Sequence, residues 1–198
     1  MRFVYLAGTA FVVAACAGKT PAPEAGHVAG LVPDLRGVRV MVLPVQRARG
    51  LEVRSDPDAE VEYALSERGV SVDWIWPGEI RAIAGRTPGL DMNVDGLPVS
   101  VFLQAEVQRI GDPLYGNLRR LSAVANADIA LVPVDVRENI DETGQRSVEI
   151  AATLIQTRTG RVLWFGIVAG EHGDSGAQVG LARAAGLLAR AILPLSGN

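Results

Sequence analysis

Hydrophobic residues fall along this chain in short blocks, and each block keeps one of two periods. Val38 to Pro44 is a continuous apolar, β-branched run, the signature of a strand covered on both faces. Ser71 to Trp76 alternates, with Val72, Trp74 and Trp76 on one side, and predicts a second strand ended by Pro77-Gly78. Asp128 to Val134 has the composition of a third, buried strand. Ser147 to Thr157 sets Val148, Ile150, Ala152 and Leu154 against Glu149, Thr153 and Thr157. The turn Arg158-Thr159-Gly160 then leads into Arg161 to Ala169, so the last two strands form a β-hairpin.

The helical period fills the gaps. Asp56-Pro57 reads as an N-cap followed by proline in the first turn, with Val61, Ala64, Leu65 and Arg68 on one face and Gly69 as the stop. Glu79 to Arg86 predicts a short helix closed by Thr87-Pro88-Gly89. Residues 98–110 fit two patterns. Val99, Phe102, Leu103, Val107 and Ile110 share a helical face, while Val99, Val101, Leu103, Ala105 and Val107 alternate as a strand; the helix is preferred. Asp112-Pro113 then caps a clearer helix carrying Leu114, Leu118, Leu121, Val124 and Ala125. A final helix buries Leu181, Ala184, Ala185, Leu188 and Ile192 and ends before Pro194. The expectation is a mixed α/β class: a single mixed sheet of about five strands with a C-terminal hairpin, covered by helices.

The N-terminus follows neither period. Arg2 precedes the apolar stretch Phe3 to Ala15, which is too short for a bilayer span, and Val13-Ala14-Ala15 leads directly to Cys16, the chain's one cysteine. A basic start, an apolar core and small residues before a cut make a secretory leader, and Val-Ala-Ala-Cys resembles the lipobox of bacterial lipoproteins. That resemblance implies diacylglyceryl transfer to the Cys16 thiol, cleavage before it and acylation of the new amine. Two or three acyl chains would hold the protein at a membrane, each buried methylene adding roughly 0.8 kcal/mol. Residue 17 is Ala, not the Asp that resembles an inner-membrane retention signal, which favours the periplasmic face of the outer membrane. The expected division is a leader over residues 1–15, lipidated Cys16 and a flexible tether through residue 36, and one periplasmic domain over 37–198. His27 lies in that tether and is expected in solvent.

Composition adds exclusions. A formal net charge of -3 gives no basic face for nucleic acid. Asp91, Asn93 and Asp95 spell the first half of a calcium loop, but Phe102 occupies the twelfth position, where a bidentate glutamate is required, so they form only a weak metal candidate. Gly173-Asp174-Ser175-Gly176 matches a serine-protease nucleophile phrase, yet the two histidines are His27 and His172, and neither is placed to act as its base. Ser175 is read instead as the cap of the last helix, completed by Gln178. His172 with Glu171 and Asp174 is too thin a set for a metal. No catalytic residue and no cofactor beyond the lipid on Cys16 is expected.

The phrases "VRVMVLPV", "ANADIALVPV" and "ATLIQTRTGRVLWFG" followed by a helix resemble a recurring periplasmic lipoprotein domain. It is shared by curli-secretion lipoproteins, penicillin-binding-protein activator lipoproteins and the N-terminal domain of TolB. Ala127-Asp128-Ile129 and Thr159-Gly160-Arg161-Val162-Leu163-Trp164-Phe165-Gly166 carry the match. The long membrane-crossing hairpins of the curli pore are not evident here. The resemblance implies a non-enzymatic accessory or assembly role through protein contact, in an envelope complex or in a ring of copies of itself. Arg183 and Arg190, seven residues apart on the last helix, are the candidate partner contacts. The alternative is a peptidoglycan- or small-ligand-binding lipoprotein with a pocket lined by Trp74, Trp76 or Trp164; a carboxylate-dependent envelope hydrolase is a more distant one.

Overall fold

The computed structural model describes residues 26–51 and 56–194. The leader, Cys16 and the first part of the tether lie outside the described residues. In chain order the strands are β1 (Val28–Gly30), β2 (Arg39–Val42), β3 (Ala48–Arg49), β4 (Asp73–Ile75), β5 (Ile129–Ile140), β6 (Arg146–Gln156) and β7 (Arg161–Glu171). The helices are α1 (Pro57–Arg68), α2 (Pro77–Arg86), α3 (Leu114–Ala125) and α4 (Ala177–Ile192).

All seven strands join one mixed sheet in the order β1-β7-β6-β5-β2-β4, with β3 also on β5. β4, β2 and β5 are parallel, and β5, β6, β7 and β1 form an antiparallel run. The chain leaves β2, crosses by α1 to β4, then returns by α2 and α3 to β5 on the other side of β2. Two crossovers of one hand moving in opposite directions put their helices on opposite faces. The sheet therefore lies between two layers. On one face Val40, Val42, Leu131, Ile150, Leu154 and Trp164 pack with Val61 and Leu65 of α1 and with Leu181, Ala184, Leu188 and Ile192 of α4. On the other, Met41, Ala130, Val132, Ile155, Phe165 and Ile167 pack with Ile80 of α2, Leu118 and Leu121 of α3, and Leu90, Val94, Leu97 and Phe102 of the intervening loop.

The class is the expected one, with seven strands in place of about five. β1 and β3 are the additions. The expected tether does not run free to residue 36: Val28, Ala29 and Gly30 pair with Gly166, Phe165 and Trp164, and Leu35 is buried. Gly30 must be glycine, because a Cβ there would lie 2.2 Å from the Leu163 carbonyl oxygen. His27 is not in solvent either; it is half-buried, with its ring 6.0 Å from that of Phe165. Residues 98–110 form neither a full helix nor a strand. A 3-10 turn over Ser100–Leu103 buries Phe102, and Arg109 bridges Arg161.

Where β2 ends, the chain breaks at Pro44 and resumes along β5, and the buried Gln46 holds that break. Its amide donates to the carbonyls of Pro44 (2.7 Å) and Val94 (2.9 Å), while its oxygen accepts from the Leu97 amide (2.7 Å). One side chain thus fastens the irregular 91–97 loop to the sheet.

Candidate contact surface

Each face of the sheet carries a helical layer, and the α1–α4 layer is the one whose outer side holds both candidate contact arginines. α4 is amphipathic, with Ala177, Gly180, Leu181, Ala184, Ala185, Leu188, Ala189 and Ile192 buried. It sits unusually close to the sheet. A Cβ on Gly170 of β7 would meet the Gly180 oxygen at 2.2 Å and the Ala184 nitrogen at 2.4 Å. Glycine on both sides of this crossing lets backbone touch backbone. α1 begins at N-cap Asp56, whose carboxylate accepts from the Asp58 amide at 3.1 Å, with Pro57 in the first turn. The two helices run parallel and are tied at both ends. The Gln178 amide donates to Glu60 at 2.8 Å, and Arg68 donates to the Leu193 carbonyl at 2.6 Å.

Turning those faces inward turns another set outward. Tyr63 is 64% exposed and Leu187 38%. Glu67, Ala182, Arg183 and Arg190 are also exposed. A hollow of about 460 Å³ lies between the helices, walled by Tyr63, Ala64 and Glu67 on one side and by Ala182, Gly186 and Arg190 on the other. A second, of about 870 Å³, follows the flank of α4 past Val179, Arg183 and Leu187 to Ala169 and Glu171 of β7. Both are open. The small residues Ala182 and Gly186 make the floors low. The structure therefore brings Arg183 and Arg190 together on one face. Arg183 donates to the Glu171 carbonyl at 2.6 Å, and among the described residues Arg190 has no ion pair.

The other sequence candidates are placed otherwise. Asn93 accepts from the Asp95 amide at 3.1 Å, and the Asp95 carboxylate meets Arg81 at 2.7 Å. Arg81 also holds Asp58 at 2.6 Å, and these two carboxylates together keep its guanidinium charged to well above the ordinary range. Asp91 is exposed. No group of three or more His, Cys, Asp or Glu residues among the described residues could hold a metal ion. Ser175 does not cap α4. Gly176, at φ 85°, occupies the cap with no side-chain bond, and Ser175 lies in a preceding 3-10 turn. Its position one residue early is set by the left-handed glycine, which no serine adopts cheaply. Trp164 is core, at 2% exposure. Trp74 and Trp76 stack on each other, centroids 5.4 Å apart, and Trp74 donates to the Gly69 carbonyl at 3.0 Å. The hollows described above contain no tryptophan. Among the described residues no helix is long and apolar enough to cross a membrane.

Sequence reading missed a ladder of buried carboxylates on the long β5–β6 hairpin. Asp135 is 2% exposed and pairs with Arg49 at 3.0 Å; Glu149 is 3% exposed and pairs with Arg137 at 2.6 Å and Asn139 at 2.8 Å. Asp135, Arg137 and Asn139 share one side of β5, opposite Ala151, Glu149 and Ser147. The alternation Val134-Asp135-Val136-Arg137 carried the signal: charges at period two on an otherwise apolar strand.

Fold and surface define an α/β/α three-layer domain whose α1–α4 layer is open along its outer side. No protein-family model matches the chain, and no curated protein matches it. Solved structures do. A PelC dodecamer from Paraburkholderia phytofirmans is 16% identical over 84% of this chain and 92% of its own, with a TM-score of 0.47. The LpoB C-terminal domain from Salmonella enterica is 13% identical over 68% of this chain and 82% of its own, at 0.45. Lipoprotein GNA1162 from Neisseria meningitidis is 16% identical over 78% of this chain and 93% of its own, at 0.44. The domain group whose motifs the chain resembles is represented among these neighbours. Likeness at this level concerns the course of the chain, and no functional property passes with it.

Proposed function

We propose that this protein is a lipid-anchored accessory protein of the bacterial envelope, on the periplasmic face of the outer membrane, that acts by protein contact rather than by catalysis. The observation that carries the reading is the open α1–α4 face. Tyr63 and Leu187 stand exposed beside low floors of Ala182 and Gly186, with Arg183 and Arg190 at the margin. An aromatic and an aliphatic anchor rimmed by arginine is the composition of a contact patch. The Val13-Ala14-Ala15-Cys16 phrase supports the anchor. Holding the domain in a thin shell beside the membrane raises its effective concentration there.

The test places a photoreactive residue at position 187 of the full-length protein in cells, and at position 140 on the β5–β6 hairpin as the control. The reading expects discrete protein adducts from 187 and none from 140. It also expects the 187 adducts to fall away when Cys16→Ser releases the domain. No adduct from 187, or adducts indifferent to Cys16, would refute it.

A further inference from the structure

Apart from Arg68 of α1, which is half-buried in the same hollow and donates to the Leu193 carbonyl at 2.6 Å, the charges along the α1–α4 face are sorted by helix. The outer side of α1 carries Glu60 and Glu67, and the outer side of α4 carries Arg183 and Arg190. Both pairs are seven residues apart, two helical turns, so each lines up along its helix. The helices are parallel and nearly in register. Glu60 is bonded to Gln178 near the start of α4, and Glu67 shares a hollow with Arg190 near its end. Yet no ion pair joins Glu67 to Arg190 among the described residues. The acidic row and the basic row lie side by side within one protomer, without neutralising each other.

We propose that a second copy of this chain covers this face, related by a two-fold axis parallel to α1 and α4. Such an axis preserves height along the helices and exchanges their sides. It lays α1 of one protomer over α4 of the other, and the reverse, so the contact is self-complementary. Glu67 of each copy then faces Arg190 of the other. Tyr63 of each copy meets the low floor at Ala182 and Gly186, where the missing side chains leave room for a ring. A two-fold axis across the helices would instead set glutamate row on glutamate row and arginine on arginine. The charge pattern therefore selects one of the two face-to-face arrangements. The inference rests on the reading that the domain works by protein contact, and it names one such partner.

The test uses the full-length protein in detergent and measures sedimentation, with circular dichroism confirming that each variant is folded. The wild type is expected to form dimers. Glu67→Arg and Arg190→Glu each place two like-charge pairs in the interface and are expected to weaken self-association about tenfold or more. Mixing the two variants sets opposite charges against each other at both of these contacts, and should restore a heterodimer of near wild-type affinity. The doubly reversed chain should restore a homodimer. A monomeric wild type, or folded single variants whose mixture stays monomeric, would overturn the inference. Adducts from position 187 to other envelope proteins, with a monomeric chain, would overturn it while leaving the proposed function standing.

Discussion

The backbone contact between β7 and α4 makes Gly170→Ala the sharpest test of how the helical face is held. The added Cβ would stand 2.2 Å from the Gly180 oxygen and 2.4 Å from the Ala184 nitrogen, and backbone atoms have no rotamer by which to step aside. To reach ordinary contact distance α4 must lift by roughly 1 Å. That loosens the packing of Leu181, Ala184 and Leu188, all fully buried, against the sheet. Overpacking costs typically reach about 3 kcal/mol, and this site belongs at that end because both obstacles are main chain. In a domain of this size the Tm should fall by roughly 6–12 °C. Gly186→Ala, in the same helix, is the control: nothing lies within 4 Å of its Cβ. There the gain in helix propensity should stabilise by roughly 0.5–1 kcal/mol. Urea unfolding followed by circular dichroism reads both. A Gly170→Ala variant as stable as the wild type would mean that α4 does not rest on β7 in this way, and that the open face is not fixed as described.

Arg137→Ala should leave the buried Glu149 carboxylate with Asn139 alone and cost about 2 kcal/mol in urea unfolding, with much of that recovered when Glu149→Ala is added. Gln46→Ala should strand the Leu97 amide and the Val94 carbonyl, destabilise by about 2 kcal/mol, and speed hydrogen exchange at Leu97 above that in β6. Glu62 has its carboxyl pushed up, first by burial and then by Glu79 and Asp58. A carboxyl whose folded value exceeds its unfolded one costs stability once pH rises through that window. Glu62→Gln should therefore raise the Tm at pH 7 and leave it unchanged at pH 3, where the carboxyl is protonated in both states; an equal effect at both pH values would contradict that reading.

The strands that could be read from the chain were those whose burial writes a period. Val40 to Val42 in β2 and Ile129 to Val134 in β5 are unbroken apolar runs, and β6 alternates before a glycine turn into the apolar β7. β1 and β3 have three and two residues. Too short to show a period, they are held by what they pair with, and those partners lie far along the chain. Residues 98–110 misled for a related reason. Val99, Phe102 and Ile110 are all buried, but from a short 3-10 turn and the irregular backbone on either side of it, so their spacing obeys neither helix nor strand. The last helix was plain in its buried stripe, while its cap was not, since Gly176 outranks Ser175 only once the chain must turn from β7 back across the sheet. Arg183 and Arg190 were readable as a pair on one helix face. That Glu60, Glu67 and Tyr63 would stand beside them was not, because it depends on α1 and α4 running parallel in one layer.

The central claim is that this domain is held at the membrane by acyl chains on Cys16. Mass spectrometry of the N-terminal peptide from protein purified out of native membranes tests it directly. The account predicts a peptide beginning at Cys16 and carrying diacylglycerol on its thiol. A peptide that still begins at Met1, or a free thiol at Cys16, would contradict it.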